Sequence, residues 1–237
     1  MKVLKVTQGT AEWALARSGH VTSSRICDVM AKIKSGEAAA RRDYRIQLVA
    51  ERLTGKPSES GYTNAYMIRG TEQEPFARAA YEMRSDVMVD QVGFVLHEEL
   101  EHCGCSPDGL VGDDGLLEIK CPKTSTHIGY ILDGGIPSEY RLQMLWQMEC
   151  TGRSWCDFLS YDPRLPENLQ LFIRRYERND ERLAEIRKEV VRFNAEVEAV
   201  IKNLPFANMD TEEQLSASIV SINRKREGTL CGHSSAV

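Results

Sequence analysis

The sequence predicts an α/β fold in which a central mixed β-sheet is flanked by helices. Two observations carry that prediction. The middle of the chain, about residues 87–120, holds short β-branched and aromatic segments separated by Gly- and Asp-rich turns. The stretches on either side are longer, charged and periodic in the manner of amphipathic helices. At 237 residues the chain can bury a sizeable core, and one elaborated domain fits that length better than two.

Taken in order, Thr22-Ser23-Ser24 offers N-cap residues for a helix over 25–34. A second helix is predicted from Glu37 to Leu53, with Ile46, Val49, Ala50 and Leu53 on its buried face and Gly55 ending it. Residues 55–61 form a loop by their breakers. A third helix runs from about Asn64 to Arg84, with Gly70 and Pro75 as points where it would divide. Val87–Val89 and Val92–Leu96 read as strands. Gly109–Val111 and Leu116–Lys120 flank Gly112-Asp113-Asp114-Gly115, a turn that predicts a hairpin. Helices over 124–133 and 138–151, strands over 155–161 and 168–175, and a charged amphipathic helix over 179–202 complete a domain spanning 1–205. Residues 206–237 are polar without clear periodicity and are read as a C-terminal tail or variable appendage.

Hydrophobic content of 42% and charged content of 27% are ordinary for a soluble globular protein. No apolar run approaches the ~20 residues that span a bilayer. The opening residues lack a secretory signal, so a cytoplasmic protein without membrane partners is expected. The seven cysteines (27, 103, 105, 121, 150, 156, 231) are odd in number and irregularly spaced, which fits reduced thiols better than a disulfide framework. His102-Cys103-x-Cys105 with Cys121 invites a zinc reading, but no paired C-x-x-C accompanies it and packing is the expected role of these thiols. They offer no obvious set of four for an iron–sulfur cluster, so none is expected. The net charge of −5 hides an asymmetry: residues 1–56 carry 11 Lys/Arg against 5 Asp/Glu. A basic segment of that kind serves phosphate contact or a solvated helical face equally well.

The chemistry concentrates in Ser106-Pro107-Asp108-Gly109 and Leu117-Glu118-Ile119-Lys120-Cys121-Pro122. On a strand, Glu118 and Lys120 share one face while Ile119 points oppositely into packing. A hairpin brings Asp108, at the start of its first strand, beside the end of the second. Two carboxylates gathered in one small volume call for a cation, and hard oxygen ligands suit Mg²⁺, or Mn²⁺ in its place. Asp108 and Glu118 are then the metal ligands, the Ile119 carbonyl a further one, and Lys120 the group that positions water and offsets charge on the phosphorane-like transition state. The bland alternative is a surface hairpin with an ordinary Glu-Lys pair.

Pro107-Asp108 followed by Glu118-x-Lys120 resembles the PD…(D/E)xK signature of restriction-endonuclease-like nucleases. The longer pattern is similar to the phage lambda exonuclease and viral recombinase (YqaJ-type) family. It includes Trp13, Arg17-x-Gly19-x-Val21-Thr22-x-Ser24, Lys34-Ser35-Gly36, Leu53-Thr54-Gly55, Gly70-x-x-x-Glu74, Tyr140-x-x-Gln143 and Tyr161-Asp162-Pro163-Arg164, across about residues 10–200. The resemblance implies a restriction-endonuclease-like core and a magnesium-dependent nuclease that degrades one strand of duplex DNA from its 5′ end to mononucleotides. It further implies a homotrimeric ring, a single-strand annealing recombinase as partner, and a phage or prophage protein in a bacterial host. Glu74 takes the place of an additional acidic group near the metals, and Gln143 that of a glutamine holding water or a phosphate oxygen; for Tyr140 packing is expected. Arg17, Ser24 and Ser106 match a pocket for the 5′-phosphate, with chemistry suited to it. Met67 falls where relatives carry an apolar strand-separating wedge, and Lys34 where a basic side chain enters the duplex groove. The competing expectations are an endonuclease of the same superfamily, cutting at restriction sites or junctions, and an inactive DNA-end-binding scaffold.

Overall fold

The computed structural model describes residues 1–58 and 65–205, with side chains from Ile68 onward in the second stretch. The expectations for 206–237 therefore lie outside the described residues. In chain order the elements are β1 (Lys2–Leu4), α1 (Ala11–Arg17), β2 (Val21–Thr22), α2 (Ile26–Met30), α3 (Ala39–Thr54), α4 (Ala65–Ser85), β3 (Val89–Asp90), β4 (Phe94–Leu96), β5 (Cys103–Cys105), β6 (Gly109–Val111), β7 (Gly115–Lys120), α5 (Thr124–Asp133), α6 (Ser138–Thr151), β8 (Trp155–Tyr161), β9 (Leu171–Glu177) and α7 (Asp180–Asn203). Met1–Val197 form one unit that carries both sheets, and a second unit starts at Glu198 with the end of α7.

The central mixed sheet has the order β3-β6-β7-β8-β9. Only β7 and β8 run parallel in it, joined by the α5–α6 crossover that a parallel connection requires. A second sheet, β1-β4-β5-β2, was not foreseen; three of its strands are two or three residues of chain that no periodicity marks, and β5 coincides with the Cys103-x-Cys105 cluster. Cys103 and Cys105 are buried in it, with the Asn194 amide donating to the Cys103 sulfur at 3.2 Å.

The predicted hairpin forms, with Gly109 opposite Leu117 and Val111 opposite Gly115. Gly112 turns it with φ +52°, and Gly109 is required by closeness: a Cβ there would lie 2.1 Å from Val89 Cγ1 of β3. Alternation along β7 sends Leu117 and Ile119 into a core shared with Ala77 and Tyr81 of α4 and Leu159 of β8. α4 runs unbroken through Gly70 and Pro75, and the Tyr81 hydroxyl donates to Asp157 at 2.8 Å.

Two helices differ from their predicted form. The one expected over 25–34 is a single 3₁₀ turn at Ser23–Arg25 followed by α2, after which Ala31 is already extended. In α3 the predicted apolar face holds at Val49 alone of its four residues: Ala50 is exposed and Ile46 and Leu53 are 51% and 56% exposed, while Arg41, Tyr44, Leu48 and Glu51 are buried beside Val49. Paired polar groups decide the rotation. Arg41 Nη1 donates to Glu196 of α7 at 2.8 Å, Tyr44 stacks on Phe193 at 5.5 Å, and Glu51 accepts from the Gly19 amide at 2.7 Å. Among the described residues no helix is long and apolar enough to cross a membrane.

Candidate active site

The hairpin end gathers the predicted cluster. Asp108 stands just before β6, and its Oδ2 accepts from the Ile119 amide at 2.6 Å. Its loop is pinned by Gln8, whose amide donates to the Val92 and Pro107 carbonyls at 2.8 Å each, and by Arg78, which reaches the Asp108 carbonyl at 3.4 Å. Glu118, on the face of β7 opposite Ile119, is only 1% exposed and turned toward α6. Its Oε1 accepts from Lys120 Nζ and from Gln143 Nε2 (2.7 Å), and its Oε2 from Gln147 Nε2 (2.6 Å). Gln147 was not anticipated. It lies one helical turn beyond Gln143, and the i, i+4 spacing that puts both on one face was the available signal. Tyr140, a turn before Gln143, stacks on Phe158 at 5.3 Å and has Lys120 Nζ 5.1 Å from its ring centroid.

Burial and like charge set the protonation of this cluster. Asp108 is pushed up to about 8 by burial first and then by the Glu118 and Glu74 carboxylates, against Lys120 and the Ile119 N–H. Glu74, on α4, is also raised, by burial and then by Glu118, with Lys120 and Arg78 opposing. Burial would lower Lys120, but Glu118 and Asp108 outweigh it and hold the ammonium above the usual lysine range. Three mutually repelling carboxylates with oxygen-only donors are a fit for a hard divalent cation. Among the described residues no three His, Cys, Asp or Glu side chains gather closely enough to hold an ion by themselves. Asp108 and Glu118 with the Ile119 carbonyl are the donors that fit, and Mg²⁺ characteristically takes few protein ligands and keeps several waters.

A second cluster lies around α1. A cavity of about 240 Å³ is lined by Trp13, Arg17, Ser24, Arg25 and Tyr44, among others. Arg17 Nη2 donates to Ser24 Oγ at 3.0 Å and its guanidinium sits 4.1 Å from the Trp13 ring centroid. Ser106 does not line the cavity but is joined to it, since Trp13 Nε1 donates to Ser106 Oγ at 2.9 Å. Arg25, unforeseen, adds a second cation, held by Asp28 and by Gln47 at 3.0 Å. Lys34 sits in an exposed loop between α2 and α3, outside both clusters. The Met67 side chain lies outside the described residues.

Two outcomes follow for metal-free protein. Gln147→Met keeps volume but removes the Gln147 donor from Glu118 Oε2 in a buried site, so it should cost about 1–3 kcal/mol in urea unfolding. The pH profile reports Asp108. Its folded value of about 8 lies above the unfolded ~3.9, so its contribution is complete below about pH 4 and is lost as pH rises to 8. Wild-type stability should therefore fall across that window relative to Asp108→Asn and run parallel to it above; parallel curves throughout would show that Asp108 ionises freely.

Known proteins resemble this chain in sequence and fold. LHK-Exo, in a crystal structure with dAMP, is 51% identical, with 81% of this chain and 95% of that one covered and a TM-score of 0.76. The alkaline exonuclease LHK-Exo from Laribacter hongkongensis matches in a further structure at 47% identity, covering 90% of this chain and 100% of that one, with a TM-score of 0.76. A phage related exonuclease from Haemophilus somnus 129PT is 15% identical over 77% of this chain and 95% of its own, with a TM-score of 0.60, and shares the fold. No curated protein matches. The YqaJ-like viral recombinase domain matches residues 12–154, more than half of the chain and the whole of the hairpin with its flanking α4 and α6. Carrying that domain on a fold shared with an alkaline exonuclease over nearly its full length, the chain belongs to the YqaJ-like viral recombinase family.

Proposed function

We propose that this protein is a magnesium-dependent exonuclease that degrades one strand of linear duplex DNA from its 5′ end, releasing 5′-mononucleotides in phage-type homologous recombination. The observation that carries the reading is the convergence of Asp108, Glu118 and Lys120 at the open end of the β6–β7 hairpin. The naming of LHK-Exo as an alkaline exonuclease, and its complex with dAMP, support the same reading. So does the raised Asp108: a divalent ion competes with its proton, so binding strengthens as pH climbs toward 8.

Asp108, Glu118 and the Ile119 carbonyl would hold the ion, Mg²⁺ or Mn²⁺ in its place. When bound, the ion polarises the phosphodiester and lowers the pKa of a water. Gln143 and Gln147 fix the carboxylate plane of Glu118. Lys120, held fully charged by its neighbours, orients the attacking water and offsets charge building on the phosphorus as the 3′-oxygen leaves. Glu74, whose proton affinity is raised, is the additional acidic group beside them. Arg17 and Ser24, with Ser106 joined through Trp13, donate to the terminal 5′-phosphate and so confine cutting to ends. The domain over 1–205 acts as a homotrimeric ring in the bacterial cytoplasm with a single-strand annealing recombinase, a reading that rests on family resemblance.

Linear duplex carrying phosphate or hydroxyl at each 5′ end and labelled on each strand, offered beside closed circles with Mg²⁺, tests this. The expected outcome is mononucleotides from the 5′-phosphorylated strand, slower attack on hydroxyl ends, and intact circles. Lys120→Ala should lower the rate by at least about 10²-fold while DNA binding persists. Rapid cutting of circles, or an unchanged rate in Lys120→Ala, would contradict it.

A further inference from the structure

The cavity around α1 also holds Arg25, which the proposed reaction does not use. Two guanidiniums line this cavity, and each lies over an aromatic ring: Arg17 is 4.1 Å from the Trp13 centroid and Arg25 is 4.3 Å from that of Tyr44. Such contact holds a guanidinium in place and leaves its N–H edges for acceptors. The Arg25 platform is firm. Tyr44 is buried against Phe193, and its hydroxyl donates to the His20 carbonyl at 3.2 Å and accepts from the Thr22 amide at 3.1 Å. The donor edges are only partly used. Arg25 gives Nε to Asp28 and Nη1 to Gln47 at 3.0 Å, and among the described residues its Nη2 has no partner. Arg17 gives Nη2 to Ser24 and, among the described residues, forms no ion pair. Ser18 Oγ, also in the lining, is buried without a partner among the described residues. Asp28 and Glu51 offset the two cations, so what the cavity offers a ligand is unused donors, not an excess of charge.

The chemistry of a strand end says which ligand. An internal phosphodiester presents two unbridged oxygens and one negative charge. A terminal phosphomonoester presents three oxygens and a charge of about −1.5 to −2 at pH 7. One guanidinium forks two oxygens. With Arg17 and Ser24 so engaged, the third oxygen needs another donor, and Arg25 and the Ser18 hydroxyl are the ones left unused. The two guanidiniums also feel each other: burial lowers Arg17 from the usual arginine range, and repulsion from Arg25 adds to the effect. An anion seated between them relieves that repulsion. We propose that Arg25 is the specificity-determining residue of the 5′ end pocket, gripping the third oxygen of a terminal phosphomonoester and so separating a true 5′-phosphate from a phosphodiester. The inference rests on the nuclease reading and deepens its end pocket. It supplies a reason why internal phosphates do not register as ends.

The test is equilibrium binding of the full chain in EDTA to a DNA hairpin with one open duplex end, followed by fluorescence anisotropy. That 5′ end carries phosphate, the methyl ester of that phosphate, or hydroxyl. Wild type should bind the phosphate roughly 10- to 100-fold more tightly than the ester. Arg25→Gln, confirmed folded by its thermal melt, should bring the two within roughly 3-fold of each other, while the ester still outbinds hydroxyl through Arg17 and Ser24. An arginine that only packs on Tyr44 would weaken all three ends alike. The double variant Arg25→Gln with Asp28→Asn should lose the preference equally. A wild-type preference in that variant would trace the effect to an unpaired Asp28 and overturn the assignment, as would a wild-type ratio in folded Arg25→Gln. If the glutamine variants do not fold, Asp28→Asn decides by releasing Arg25 Nε: a wider preference for phosphate over ester supports the assignment, and an unchanged one overturns it. Wild type that separates phosphate from hydroxyl but not from the ester overturns this inference alone. Wild type that separates none of the three overturns the end pocket of the nuclease reading with it.

Discussion

Asp108 and Glu118 are forced together by a hairpin whose turn and register leave them no other place, and their repulsion is the constraint around which the site is arranged. Burial makes the repulsion felt: Asp108 holds its proton up to about pH 8 in the absence of an ion. Glu118 is deeper still and keeps its place because three donors surround it, Lys120, Gln143 and Gln147. The cluster therefore stores a demand for positive charge that Lys120 meets only in part. A divalent ion placed against a phosphate would satisfy the remainder, and that is the chemical sense of setting Asp108 and Glu118 side by side.

Two helices deliver the rest of the cluster from opposite faces of β7. α4 packs Ala77 and Tyr81 on the Leu117 and Ile119 face and, on the same helix, presents Arg69 near Pro122, Glu74 near Lys120, and Arg78 at the Asp108 carbonyl. α6 covers the Glu118 face with Tyr140, Gln143 and Gln147 at helical spacing. Side-chain alternation on one six-residue strand thus divides the work, with core on one face and chemistry on the other. Core substitutions that tilt α4 would move acidic and basic groups together, so packing and chemistry are coupled through this helix.

What the sequence disclosed and what it hid follow from range. The β6–β7 hairpin was legible because Gly112-Asp113-Asp114-Gly115 is a local turn signal and Glu118-x-Lys120 obeys a two-residue period. The long elements α4, α6, β8 and α7 were legible for the same local reasons. The face of α3 was not, because Arg41 and Glu51 are buried by partners from α7 and from the Gly19 turn, far away in sequence. β1, β2 and β5 are too short to carry a period, so that the packing expected of the Cys103 and Cys105 thiols could not be assigned to a strand. Gln147 and Arg25 were missed because a helical amide and a surface arginine look ordinary until the fold shows what they face.

The central claim is that Asp108, Glu118 and the Ile119 carbonyl share one divalent ion. Anomalous diffraction from crystals of the protein soaked in Mn²⁺ addresses it directly. The account predicts a peak within ligand distance, about 2.0–2.3 Å, of both carboxylates and that carbonyl. A peak bound elsewhere, with Asp108 still closed onto the Ile119 amide, would contradict it.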